Sequence, residues 1–175
     1  MKTKNLVLMA LLVAVGAALY LVIPGINGGM KPDFMLTMMF IGILLFPNSR
    51  DAFLLAVTTG ILSGLFSTFP GGFVPNIIDK FIAAYLFLIA VKLLKSYANN
   101  TVSAAVLVGL GTLVSGTVFL SAAILVVGAE IPFLLLFTTV VLPAIAINIV
   151  AFVVMYPIIT TLVKRSKFDT SLSHA

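Results

Sequence analysis

Residues 73–81 read FVPNIIDKF, and they open a long apolar run that extends to about residue 95. A run of roughly 20 such residues is typical of a helix that crosses a bilayer. Asp79 and Lys80 place two opposite charges near the start of this run. Because charged side chains are costly inside a membrane span, these two are candidates for a functional site.

The rest of the chain has the same apolar character. Of its 175 residues, 62% are hydrophobic and only 9% are charged, whereas a soluble domain carries about 25% charged residues. Since lipid offers backbone groups no hydrogen-bond partner, helix is the expected state of each span. The sequence therefore predicts an all-α, polytopic membrane protein, a single transmembrane domain over residues 1–175. Its spans are expected at about 5–23, 33–46, 52–68, 76–95, 102–127 and 132–163.

The basic residues divide unequally between the two ends of these spans. One end carries Lys2, Lys4, Arg50, Lys92, Lys95, Lys164, Arg165 and Lys167, and the other carries only Lys31 and Lys80. Positive charge concentrates on the cytoplasmic side of membrane proteins. Both termini are therefore expected in the cytoplasm, and the minority charges on the outer side.

Composition also limits the chemistry. The chain has no cysteine, so it has no disulfide or thiolate metal site. Its one histidine, His174, lies in the polar tail, and no phosphate-binding loop or catalytic motif is present. The net charge of +5 sits at span ends, which fits membrane orientation better than a nucleic-acid surface. We therefore expect the protein to have no enzymatic activity, no metal site and no nucleic-acid-binding surface.

The outer charges suit a ligand that carries both signs, such as a free amino acid. We hypothesise that Lys80 binds the ligand carboxylate and that Asp79, Asp33 or Glu130 binds its ammonium group. The candidate substrate-binding residues are Lys31, Asp33, Asn76, Asp79, Lys80, Glu130 and Asn148. Residues 79 and 80 are about 100° apart on a helix, so they are not expected to pair with each other.

Simpler roles exist for several of these residues. Asp33 suits the first turn of a helix, and Lys80 suits an interfacial anchor. Glu130 is also explained as a loop acid, and Asn148 as a hydrogen-bonding group between helices. The side chains expected to enclose an aromatic ring are Phe34, Met35, Phe73, Phe81, Tyr85 and Phe133.

Three alanines, Ala10, Ala14 and Ala18, form a stripe on the first span. Small residues at a spacing of four allow another helix to approach closely. Packing within this chain is the usual use of such a stripe. Docking to another membrane protein is the alternative.

Several strings resemble the bacterial tryptophan transport protein family. They are Met1–Lys4, Gly29–Asp33, Gly42–Pro47 and Pro75–Lys80. The short spans, the alanine stripe and the glycine-rich first outer loop also resemble the substrate-binding S components of energy-coupling factor transporters. These resemblances imply uptake of L-tryptophan across the bacterial cell membrane, with the substrate bound near the outer side.

The resemblance to S components further implies a set of partners. The stripe Ala10, Ala14 and Ala18 would contact a membrane T component, and two ATPase subunits would use ATP, while this chain would carry no cofactor. Three alternatives stay open: a stand-alone, proton-coupled amino-acid carrier, an S component for a vitamin-like aromatic solute, and a membrane interaction protein without transport activity.

Overall fold

The computed structural model describes residues 3–23, 32–94, 100–166, 168, 170 and 171. The helices in these ranges are α1 (Thr3–Val22), α2 (Phe34–Leu45), α3 (Ser49–Leu65), α4 (Phe73–Leu93), α5 (Thr101–Leu125) and α6 (Phe133–Arg165). Four of them, α1, α4, α5 and α6, are long and apolar enough to cross a membrane. The prediction of an all-α, polytopic membrane protein is confirmed.

The short helix α2 forms the centre of the bundle. All of its 12 residues are buried, and it contacts each of the other five helices. Asp33 caps its N-terminus, since the Asp33 side chain accepts a hydrogen bond from the Leu36 backbone N–H at 2.9 Å. This cap fixes the Asp33 carboxylate at one end of the bundle.

Two helices begin earlier than the sequence predicts. The helix α3 starts at Ser49 rather than near residue 52, because the Asn48 side chain accepts a hydrogen bond from the Asp51 N–H at 3.0 Å. The helix α4 starts at Phe73, with Gly72 as its N-cap residue. Pro75 therefore lies within the first turn, where a missing N–H costs nothing.

Two glycines bring α3 and α4 into backbone contact. A Cβ atom on Gly60 would lie 3.1 Å from the Cα atom of Ile77, and one on Gly64 would lie 3.1 Å from the Cα atom of Phe73. Small residues four apart permit this approach. The contact fixes the first two turns of α4, and with them the inward direction of Asp79 and Lys80.

The helix α6 contains a π-helical segment, Phe137–Val141, between two α-helical parts. Such segments are often found at functional sites. Val141 is buried in this segment and packs over Gly116 of α5, where a Cβ atom would lie 2.7 Å from Val141 Cγ1. The π segment therefore lies directly on α5.

The alanine stripe faces outward. Ala10, Ala14 and Ala18 are exposed, whereas the opposite face of α1 is buried against the bundle. The usual interpretation, packing within this chain, is therefore wrong for this stripe. A surface of small side chains is left for lipid or for another protein.

Candidate functional site

A cavity of about 320 Å³ opens at one end of the bundle. Its volume lies at the lower end of the range of about 300–1,000 Å³ that small-molecule sites occupy. The lining residues are Tyr20, Asp33, Met35, Leu36, Ser63, Ser67, Thr68, Phe69, Asn76, Asp79, Lys80, Thr112, Ser115, Gly116, Phe119, Leu120, Leu136, Val140, Val141, Ala144 and Asn148. All six helices contribute to them.

The cavity lies at the bundle end that the sequence assigns to the outer side. It is formed by the C-terminal ends of α1 and α3 and by the N-terminal parts of α2, α4 and α6. The basic residues Lys4, Arg50, Lys92 and Lys164 lie near the opposite helix ends. The predicted division of charge and the position of the cavity therefore agree.

An ion cluster forms the wall of this cavity. Lys80 Nζ lies 2.8 Å from Asp33 Oδ2 and 2.6 Å from Asp79 Oδ2. The Lys80 and Asp79 side chains are 2% and 1% exposed, whereas that of Asp33 is 30% exposed. The expectation that residues 79 and 80 do not pair is wrong, because the long lysine side chain bends back to the carboxylate beside it.

Asn148 connects this cluster to α5 and α6. Its Oδ1 atom accepts a hydrogen bond from the Asp33 backbone N–H at 2.9 Å. Its Nδ2 atom donates to Thr112 Oγ1 at 3.3 Å. Asn148 is fully buried, so these bonds satisfy an amide that would otherwise be costly. The interhelical role of Asn148 suggested by the sequence is observed, and the residue also lines the cavity.

Asn76 lines the cavity, but its side chain bonds to the backbone rather than to Asp79 or Lys80. Its side-chain Nδ2 atom donates to the Gly72 carbonyl oxygen at 2.7 Å. This bond turns the Asn76 amide toward the start of α4. The Asn76 side chain is thereby held in place one turn from Asp79 and Lys80.

One carboxylate oxygen of the cluster has an unmet capacity to accept a hydrogen bond. Asp79 Oδ1 is buried and has no hydrogen-bond partner of normal geometry among the described residues, although the Ser115 hydroxyl lies close enough to interact with this carboxylate. A buried carboxylate oxygen without a donor is unfavourable. Since Asp79 lines the cavity, a ligand can supply that donor.

One sequence candidate lies apart from this cluster, and another is not among the described residues. Glu130 is exposed in the turn between α5 and α6 and is not among the cavity-lining residues. Lys31 lies outside the described residues. The structure therefore brings together Asp33, Asp79 and Lys80, with Asn76 and Asn148 beside them.

The aromatic walls differ from those expected. Of the predicted side chains, only Met35 lines the cavity. Phe81 instead contacts Phe53 and Tyr85, away from the cavity. Phe69 and Phe119 supply the aromatic surface, with ring centroids 5.4 Å apart in an edge-to-face arrangement.

Tyr20 adds a third ring to the cavity wall. Its phenol interacts with Thr68, in the connection after α3. Sequence reasoning missed Tyr20, Phe69 and Phe119. One signal was available for two of them: Tyr20 lies near the end of the predicted span 5–23, and Phe69 directly follows the predicted span 52–68.

This arrangement can bind a small amphipathic solute. Lys80 has a third N–H group beyond those directed at Asp33 and Asp79, and it can donate to a ligand carboxylate. Asp79 Oδ1 can accept from a ligand ammonium group. The aromatic pair can then pack against an apolar ring.

Comparison with known proteins points to one family. The family model described as Tryptophan transporter TrpP matches residues 2–164. Three relatives, from Bacillus subtilis, Clostridium acetobutylicum and Clostridium perfringens, are each named probable tryptophan transport protein. No solved structure matches the chain.

These relatives match over nearly their whole length. The Bacillus subtilis protein is 51% identical over 96% of this chain and 97% of its own. The Clostridium acetobutylicum protein is 40% identical over 89% and 91%, respectively, and the Clostridium perfringens protein is 35% identical over 94% and 95%.

Proposed function

Because the chain belongs to the Tryptophan transporter TrpP family, we propose that its cavity binds L-tryptophan and that the protein carries this amino acid across the bacterial cell membrane. The observation that carries the proposal is the buried Lys80, held between Asp33 and Asp79 at the wall of an aromatic-lined cavity. That combination matches the two charges and the indole ring of tryptophan.

The proposed pose follows from the free hydrogen-bonding positions. Lys80 donates its third N–H to the tryptophan carboxylate, and Asp79 Oδ1 accepts from the ammonium group. The indole ring packs against Phe69 and Phe119, where ring-on-ring contact adds about 0.5–1.5 kcal/mol beyond area burial. Asp33 and Asn148 orient these groups through Lys80 and the start of α2.

Binding can be measured directly, because the chain contains no tryptophan of its own. We expect the fluorescence of added tryptophan to change saturably with purified protein. Tryptamine lacks the carboxylate and indole-3-propionate lacks the ammonium group, and each should bind at least about tenfold more weakly, since a hydrogen bond to a charged group contributes about 1.5–3 kcal/mol. No saturable tryptophan signal, or displacement of tryptophan by riboflavin at equal concentration, would contradict the substrate assignment.

We further propose that an ATP-driven module powers uptake, with the protein as its substrate-binding subunit. The exposed stripe Ala10, Ala14 and Ala18 supports this part of the proposal, because it gives a partner helix a flat surface on the outside of α1. A membrane T component would dock there, and two ATPase subunits would act through it.

Ala14→Leu tests the docking surface. The larger side chain should prevent close helix approach and abolish most tryptophan uptake in cells, while tryptophan binding by the purified protein stays unchanged. Val15→Leu is the matched control, since Val15 is also exposed on α1 but lies about 100° around the helix axis from Ala14. Equal uptake by Ala14→Leu and the wild type would remove the stripe from the proposal.

The ion cluster favours a second candidate mechanism, a stand-alone secondary carrier. Two carboxylates around one lysine resemble the buried charges that bind coupling ions in such carriers. Purified protein in vesicles distinguishes the two mechanisms. Tryptophan accumulation driven by an ion gradient, without ATP or added subunits, supports the carrier.

A further inference from the structure

We propose that each tryptophan molecule enters the cavity together with one monovalent cation, a proton or an alkali-metal ion, which the Asp33 and Asp79 carboxylates retain. This inference rests on the proposed function, because it concerns the same cavity. It starts from the charges that the described residues place there. Asp33 and Asp79 carry two negative charges and Lys80 carries one positive charge.

The other groups around Asp79 do not balance this difference. Asp33 at the start of α2, Lys80 from α4 itself and the neutral Ser115 from α5 interact with Asp79. The other helices add the titratable Tyr20 from α1 and the neutral Ser63 and Asn148 from α3 and α6 to the cavity lining. Among the described lining residues, Lys80 is the sole side chain with a permanent positive charge. Tryptophan brings one positive and one negative charge. The net charge of the occupied cavity is therefore still one negative charge.

Water in an open cavity can solvate that excess charge, but bound tryptophan displaces water. Asp79 Oδ1 is already buried without a normal donor, and the tryptophan ammonium group supplies one. The tryptophan carboxylate must then share Lys80 with Asp33 and Asp79. Three carboxylates around two ammonium groups leave one buried anion unpaired, which is strongly unfavourable. Uptake of one cation removes this cost.

The partial charge of a helix end does not replace that cation. The N-terminus of α2 lies at Asp33 and carries roughly half a positive charge. Its Leu36 N–H already donates to Asp33 Oδ1, and the Asp33 N–H donates to Asn148. Since these donors point at groups already present, little of this charge is available for an added carboxylate.

Titration calorimetry of the purified, full-length protein tests the proposal. Proton uptake is measured by repeating the tryptophan titration at one pH in buffers with different ionisation enthalpies. Alkali-ion uptake is measured by replacing NaCl with choline chloride at constant ionic strength. We expect one of these two arms to show uptake of one cation per tryptophan, with the apparent Kd falling about tenfold for each tenfold rise in that cation below saturation.

Asp33→Asn provides the matched variant. Asparagine is also a good N-cap residue, so α2 should keep its start. One lysine then faces one carboxylate, and the charges balance when tryptophan binds. Asp33→Asn also removes one partner of Lys80, so its tryptophan affinity can fall. Whatever its value, we expect that affinity to be independent of proton and alkali-ion concentration. A cation dependence equal to that of the wild type would overturn the assignment to these carboxylates.

The outcomes separate this inference from the proposed function. Absence of tryptophan binding contradicts the function itself. Tryptophan binding by the wild type without cation uptake overturns the inference and leaves the function standing. Lys31 lies two residues before Asp33 in the sequence and outside the described residues. If Lys31 balances the charge, the wild type takes up no cation and Lys31→Met does, which also overturns the inference.

Discussion

Lys80→Met should abolish high-affinity tryptophan binding. The substitution removes the donor for the tryptophan carboxylate and leaves Asp33 and Asp79 facing each other without a cation. Truncating one partner of a buried, hydrogen-bonded charge pair costs about 2–5 kcal/mol. The Kd for tryptophan should therefore rise at least about 30-fold, measured by the fluorescence of the added ligand.

Two further variants separate binding from folding. Lys92→Met removes a lysine from the exposed, opposite end of α4 and should bind tryptophan like the wild type. The double variant Asp79→Asn/Lys80→Met removes both charges of one pair, so its thermal stability should exceed that of Lys80→Met. Its tryptophan binding should stay lost. A folded Lys80→Met protein with wild-type affinity would show that Lys80 has no role in binding.

Asp79→Asn should produce the second large effect, and one that depends on the ligand. Asparagine keeps the shape of the side chain but removes the charge that we assign to the tryptophan ammonium group. The Kd for tryptophan should rise at least about 30-fold, because a buried charge pair is again broken. Indole-3-propionate has no ammonium group, so its much weaker binding should change little.

Asp51→Asn is the matched control for this substitution. Asp51 is also a buried carboxylate in the first turns of a helix, but it lies at the opposite end of the bundle and pairs with Asn48. Its replacement should leave the affinity for both ligands unchanged. If Asp79→Asn weakens tryptophan and indole-3-propionate by the same factor, Asp79 supports the cavity without binding the ammonium group.

The sequence identifies the polar part of this site because charge is rare in the chain. Asp33, Asp79 and Lys80 stand out against apolar spans, and the number of helices between them places all three at one end of the bundle. The pairing of Lys80 with Asp79 was not predictable from the angle between neighbouring residues on a helix. A lysine side chain is long enough to reach an adjacent carboxylate, so its ammonium group is not confined to the direction of its Cβ atom.

The aromatic part of the site was not predictable in the same way. Phe119 lies in a helix that is apolar on most of its surface, and Phe69 lies in the turn after α3. In a lipid-exposed helix, a phenylalanine that faces lipid and one that faces a cavity give the same hydrophobic pattern. Only the packing of α5 against its neighbours distinguishes them.

The central position of α2 has a consequence for ion leakage. Its 12 buried residues occupy roughly 18 Å of the bundle axis beneath the cavity, and apolar side chains such as Met39, Phe40 and Ile43 are fully enclosed there. A hydrated ion that reaches Asp79 meets a dry barrier on the other side. The protein can therefore expose charged groups to one aqueous compartment while the membrane stays electrically insulating.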